Sequence, residues 1–286
     1  MEIVNAALRG LVSAVLYPFG GLHPLIGLTV VSLVVAVLML LVFKATSNQE
    51  GLAEVKRQIH ASLFEIRLFN ADLGAILRAQ GDLMKHNLRY LGYSVVPMLW
   101  MIVPFVLLIA QLQFHYGYEP VRPGEPVLVE ANLAEGWQDG VEAEDVQGFT
   151  KPVVHLTTSE GVRVETPALW APELSELSWR VVAEEPGEHE LAIEVAGERY
   201  TKLLHAGEGL DTRRLLSPIR TGRDFLMQLL YPAEPPLNDG PLEEIRVSYD
   251  DASVWFLGWN THWIIVFFIL SIAFAFLLRN RFGVTI

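Results

Sequence analysis

The chain contains no cysteine, which excludes disulfides, thiolate nucleophiles and cysteine-held metals. Its eight histidines are scattered, with no pair at metal-ligand spacing, so neither a metal nor another cofactor is expected. There is no phosphate loop and no nucleophile elbow, and no other catalytic constellation takes their place. An enzyme is therefore not expected. The acidic stretch Asp139-Gly-Val-Glu142-Ala-Glu144-Asp145 lacks the alternating oxygen pattern of a calcium loop and reads as solvated surface.

Charge is scarce as well: 19% of the residues are charged and 51% are hydrophobic. The scarcity is local, because three long uncharged runs hold the apolar excess while the stretch between the second and third reads like a soluble domain. Pro24 to Phe43 holds twenty residues without a charge, enough at about 1.5 Å per residue to cover the roughly 30 Å hydrocarbon core. Leu91 to Gln113 contains Pro97 and Pro104, where kinks are expected. The third run, from about Phe256 to Leu278, opens with Trp255, Trp259 and Trp263 at i, i+4 and i+8, predicted to stack on one helix face as an interfacial anchor. All three runs exceed the usual length of a buried soluble-core helix. No charged group falls mid-run, which argues against ion pumping or a proton relay. The polar groups inside or at the ends of the runs are candidates to line a groove: Thr29, Ser32, Lys44, Ser94, Gln111 and Ser271. Small hydroxyls also commonly bond the preceding turn of their own helix.

Basic residues flank one end of each run: Lys44, Lys56 and Arg57 after the first, Lys85 and Arg89 before the second, Arg279 and Arg281 after the third. By the positive-inside rule these ends face the cytosol, leaving the N-terminus and residues 114–254 outside. A cleaved signal peptide is a poor rival for the first run, which is too long and lies behind a region with one Arg and one Glu. Ahead of it, residues 3–17 carry apolar residues at helical spacing and end at Pro18-Phe19-Gly20-Gly21, predicting a short helix in the outer interface or packed on other helices.

Between the first two runs, apolar residues recur at Leu52, Ile59, Ile66 and Leu73, with Val55, Phe69 and Ile76 alongside. Such a near-heptad stripe needs a partner helix, and turn points at Asn70, Gly74 and Gln80-Gly81-Asp82 would fold the segment into a hairpin. Residues 44–92 carry seven Lys/Arg against five Asp/Glu, and Lys56, Arg57, Arg67 and Arg78 are its candidate contacts for a client or ribosome. A plain antiparallel coiled coil is the alternative.

Residues 114–254 carry eleven Lys/Arg against twenty-seven Asp/Glu, so this outer domain is not expected to bind nucleic acid. Short β-like runs recur about every ten residues: Val127 to Asn132, Pro152 to Thr157, Val162 to Thr166, Leu177 to Val182, Glu190 to Val195, Arg199 to Leu204 and Ile245 to Tyr249. The spacing suggests an immunoglobulin-like sandwich with Trp179 in its core, and residues 221–230 suggest one amphipathic helix. The expected architecture is thus a membrane α-helical protein of three transmembrane helices and a cytosolic helical hairpin, with an inserted extracytoplasmic all-β domain. Its segments are an interfacial helix (1–22), a first span (23–44), the hairpin (45–90), a second span (91–114), the β-sandwich (115–250), a third span (255–278) and a cytosolic tail (279–286).

This order resembles the YidC/Oxa superfamily of membrane insertases, in particular the three-span forms of archaea and the endoplasmic reticulum. The residues carrying the likeness are Gln80 to Gln113, where a hairpin helix runs into a Pro-containing span, within a resemblance covering residues 1–115 and 255–286. It implies an integral protein of a prokaryotic inner or plasma membrane whose hydrophilic groove lowers the cost of passing polar segments across lipid. A charged side chain at mid-bilayer costs about 3 kcal/mol on insertion scales. The partners implied are the lipid bilayer and nascent membrane proteins or the ribosome. Many insertases place a positive residue on the first span; here that span has none, and Lys44 stands at its cytosolic end. The large acidic domain is a further departure from the small relatives. A scaffold whose β-domain binds a protein partner outside is the alternative from a different functional class.

Overall fold

The computed structural model describes residues 2–19, 22–69, 72–138, 140–146, 149–210 and 214–284. Three expected features, the Gly20-Gly21 break, the Asn70 turn point and Asp139, lie outside the described residues. Four helices come first: α1 (Glu2–Leu16), α2 (Pro24–Thr46), α3 (Gln49–Leu68) and α4 (Leu73–Tyr116). A β-rich stretch follows, broken by the short α5 (Phe225–Leu230), and α6 (Trp263–Phe282) comes last. The chain forms two compact units, one of Leu28–Val106 with Ile264–Ile286 and the other of Met1–Gly27 with Leu107–Trp263.

In the helical unit, α2, α4 and α6 are each long and apolar enough to cross a membrane. On α2, Leu28, Val31, Ser32, Val35, Ala36 and Leu40 are buried at helical spacing, while Leu33, Val34, Leu38 and Leu41 face outward. An apolar outer surface of this kind is what a helix shows when its surroundings are apolar too. Phe105 of α4 packs on Phe267 and Phe268 of α6, with ring centroids 6.1 and 5.6 Å apart. The end of α6 is closed by Gly283, whose φ of 63° lets its N–H donate to Asn280 and the N–H of Val284 to Arg279.

The break between α2 and α3 is set by Asn48, whose Oδ1 accepts the Gly51 N–H at 2.8 Å. α3 ends at Leu68 and α4 begins at Leu73, where Asp72 Oδ1 accepts the N–H groups of Gly74 and Ala75. Gly74 and Gln80-Gly81-Asp82 are not turns: α4 runs through them for 44 residues, and unbroken past Pro97 and Pro104. A glycine in a helix costs about 1 kcal/mol, and a capped start with long apolar neighbours outweighs it.

In the other unit, one antiparallel sheet is built from β1 (Pro126–Leu133), and two hairpin strands follow it, β2 (Ala143–Val146) and β3 (Phe149–Pro152). Next come β4 (Val154–Thr158), β5 (Val162–Val164), β6 (Leu169–Ala171), β7 (Glu176–Ala183), β8 (Gly187–Val195) and β9 (Glu198–Ala206). The last strands are β10 (Ile219–Thr221), β11 (Leu242–Val247), β12 (Val254–Phe256) and β13 (Trp259–Thr261). The larger sheet has the order β10-β11-β1-β7-β5 with β6 also on β7, and the smaller is β4-β8-β9. Both contribute to one core, Val129, Leu177, Trp179 and Ile245 from the first and Leu191, Ile193 and Leu204 from the second. The segment 221–230 is half helix only: its first residue ends β10, and Asp224 caps α5 by accepting the Met227 N–H at 2.9 Å.

The tryptophan stack expected at the head of the third span is not helical. Trp255 lies in β12 and Trp259 in β13, and only Trp263 belongs to α6. The cause is a two-residue reversal at Leu257 and Gly258, with φ of 50° and 101°, the pair of left-handed residues that a tight hairpin turn requires.

Candidate functional site

The α3–α4 hairpin buries one narrow line: Leu52, Val55 and Ser62 on α3 and Ala79 on α4. The stripe residues Ile59, Ile66 and Ile76 are half-buried, as its geometry requires, but Phe69 and Leu73 at the turn are exposed. Outside the stripe stand Leu63, Phe64, Leu68 and Leu77, all exposed. His60, Leu63, Phe64, Ile66 and Arg67 line an open groove of about 550 Å³. The turn of the hairpin is therefore an apolar surface, where a plain coiled coil would be polar. The signal was present in Leu63-Phe64 and Leu68, which fall off the heptad positions.

The basic residues frame this surface without all being free. Arg67 is exposed, and Arg78 donates from Nε to the Gly74 carbonyl at 3.2 Å. Arg57 is paired to Glu54, holding that carboxyl below its ordinary value. Lys56 is half-buried one residue before.

The candidate groove residues differ in what they do. Ser94 Oγ donates to the Tyr90 carbonyl at 3.0 Å, bonding its own helix, and Thr46 does the same to Val42 at 2.7 Å. Ser32 is fully buried and Ser271 half-buried, and neither hydroxyl has a hydrogen-bond partner. These two helix hydroxyls forgo the bond made by the other two. Thr29 is half-buried on α2. Lys44 donates from Nζ to the Phe282 carbonyl at 2.8 Å, so its charge sits at the C-terminal end of α6, where the helix dipole favours it. Gln111 is buried in the other unit with its Oε1 unpaired. Ser32, Ser94 and Ser271 are not joined to one another by hydrogen bonds.

Within the β-rich unit, Trp263 Nε1 donates to Gln113 Oε1 at 3.0 Å and its ring lies 6.2 Å from that of Tyr116. A Cβ at Gly27 would stand 2.7 Å from the Tyr116 hydroxyl oxygen, so a glycine is what lets the first turn of α2 approach. Arg9 of α1 donates to the Ala233 carbonyl at 2.7 Å, which ties α1 to the loop after α5. The lone cation of an otherwise apolar segment was the sequence signal for that tie.

The β-rich unit hides a charge pair that sequence reasoning missed. Lys202 is fully buried, pairs with Glu234 and donates to the Ser217 carbonyl at 2.6 Å; burial lowers its pKa against the pull of Glu234. Nearby His205 is depressed to about 4 by burial, with the Glu188 carboxylate 3.7 Å away opposing the shift. Among the described residues no cluster of His, Asp and Glu is arranged to hold a metal.

No protein-family model, no curated protein and no solved structure matches this chain.

Proposed function

We propose that this chain is an insertase-like membrane-protein biogenesis factor of the YidC/Oxa type, lowering the cost of placing polar or transmembrane segments in lipid. In this reading α2, α4 and α6 span a prokaryotic inner or plasma membrane, with the N-terminus outside and the C-terminus in the cytosol. The α3–α4 hairpin is cytosolic, and the β-rich unit is an extracytoplasmic immunoglobulin-like sandwich.

The observation that carries the reading is the exposed apolar turn of the hairpin, Phe64, Leu68 and Leu73, set beside Arg67 and Arg78. Such a surface suits a client whose apolar segment needs cover and whose flanks are acidic or bound to ribosomal RNA. Ser32 and Ser271, with unspent hydroxyls on otherwise apolar helices, supply groove polarity in place of a cation, since Lys44 is engaged at the end of α6. The groove is then uncharged, suited to segments of modest polarity.

A photo-crosslinker at Arg67 or Arg78 in translating membranes tests the reading. Adducts with nascent membrane proteins are expected, and their absence argues against it. Depletion separates an insertase from a scaffold: many unrelated membrane proteins lose insertion in the first case, and unrelated clients are untouched in the second.

A further inference from the structure

We propose that the β12–β13 hairpin, which immediately precedes α6 in the chain, is a lipid-binding wedge with its tip immersed in the zwitterionic headgroup layer of the outer leaflet. The inference rests on the membrane-spanning reading above. Trp255, Leu257 and Trp259 are 58%, 78% and 71% exposed. The register pairs Trp255 with Asn260 and Phe256 with Trp259, so adjacent Trp255 and Phe256 point to opposite faces of the ribbon and the two tryptophans fall on opposite faces. A protein partner docking on one face would leave a tryptophan of the other face in water. An isotropic apolar medium covers both at once.

Three further observations commit the tip to lipid. The base of the hairpin sits beside the last turn of α4: the Ala252 N–H donates to the Gly117 carbonyl at 2.9 Å where the chain enters, and Trp263 bonds Gln113 where it leaves. In the spanning reading the last turn of α4 is the outer end of that span, where tryptophan is favoured in membrane proteins. From Ala252 to Leu278 there is no Asp, Glu, Lys or Arg, so nothing charged is dragged into the interface. The surrounding stretch 114–254 is strongly acidic, with twenty-seven Asp/Glu against eleven Lys/Arg, which disfavours attraction to anionic lipid. An isolated two-stranded ribbon is only marginally stable in water, and Val254 is the residue of the ribbon buried at its base. Immersion would hold the rest.

The absence of cysteine makes the test direct. Leu257→Cys, Leu38→Cys on the outward face of α2 and Ala196→Cys at the β8–β9 turn are each labelled with an environment-sensitive dye in the full chain, reconstituted in phosphatidylcholine nanodiscs. Expected at Leu257 are a blue-shifted emission, quenching by lipid carrying a shallow nitroxide and loss of quenching by aqueous iodide, all insensitive to salt; at Ala196 iodide alone quenches. Lipid quenching at Leu38 with iodide quenching at Leu257 overturns the wedge and leaves the spans standing. A blue shift at Leu257 without lipid quenching means a protein covers the tip, which also overturns it. Lipid quenching absent at both positions removes the spanning reading and the wedge with it.

Discussion

Phe64→Ser combined with Leu68→Ser strips the hairpin of two prominent apolar side chains without disturbing the fold, since both are exposed. Phe64 is 69% exposed and Leu68 75%. Full burial of such a side chain is worth about 1.5–3 kcal/mol, so a client that covers the exposed share of both gains about 2–4 kcal/mol. That corresponds to roughly 30-fold to 1,000-fold in affinity. Fluorescence anisotropy of a labelled, leucine-rich amphipathic helical peptide against the full chain in nanodiscs reads the difference, and the helical circular dichroism of the variant should be unchanged. A dissociation constant within twofold of the original, with the fold intact, would refute the assignment of this surface to client binding.

Two further predictions concern the β-rich unit. Lys202→Met leaves Glu234 and the Ser217 carbonyl without their buried donor, and because the Arg220 charge also acts on Glu234 the expected loss is at the low end for a broken buried pair, about 3 kcal/mol. Adding Glu234→Leu should recover most of it in thermal unfolding, and a single substitution costing under about 1 kcal/mol contradicts the description of the pair. His205 has a folded pKa of about 4, below its unfolded value near 6.5, so the unfolded chain binds the extra proton between them. Stability from this group is complete above pH 6.5 and declines as pH falls toward 4, by up to about 3 kcal/mol. Glu188, His189, Lys202 and Arg214 act on the same ring, so the measurement is the difference between the original chain and His205→Gln, which should flatten the acid limb of denaturant unfolding.

Much of the helical part was legible because uncharged runs of twenty residues have few other meanings. The strands of the core were legible where alternation is plain, as in Leu191 to Val195. Three things escaped for physical reasons. The β12–β13 hairpin lies inside a continuous apolar run, and its reversal depends on Leu257 adopting a left-handed conformation that composition does not announce. Gly74 and Gly81 resembled turn points, yet the cap at Asp72 decided where the helix starts. Lys202 shares a face with the buried Tyr200 and Leu204 by the period of two, but a lysine beside Arg199 reads as solvent-facing until its partner Glu234, thirty-two residues on, is in place. Of the candidate groove, the polar inventory was visible; that Ser94 bonds its own helix while Ser32 and Ser271 do not is decided by side-chain rotamer and packing, which residue type leaves open.

The most direct measurement is insertion by the purified chain alone. A small membrane-protein client is synthesised in a ribosome-containing translation mixture with lipid vesicles that either hold this protein or are empty, and protease-protected fragments are counted. Protection well above the empty vesicles, lost with Phe64→Ser/Leu68→Ser, is the predicted result; equal protection in both vesicle preparations contradicts an insertase.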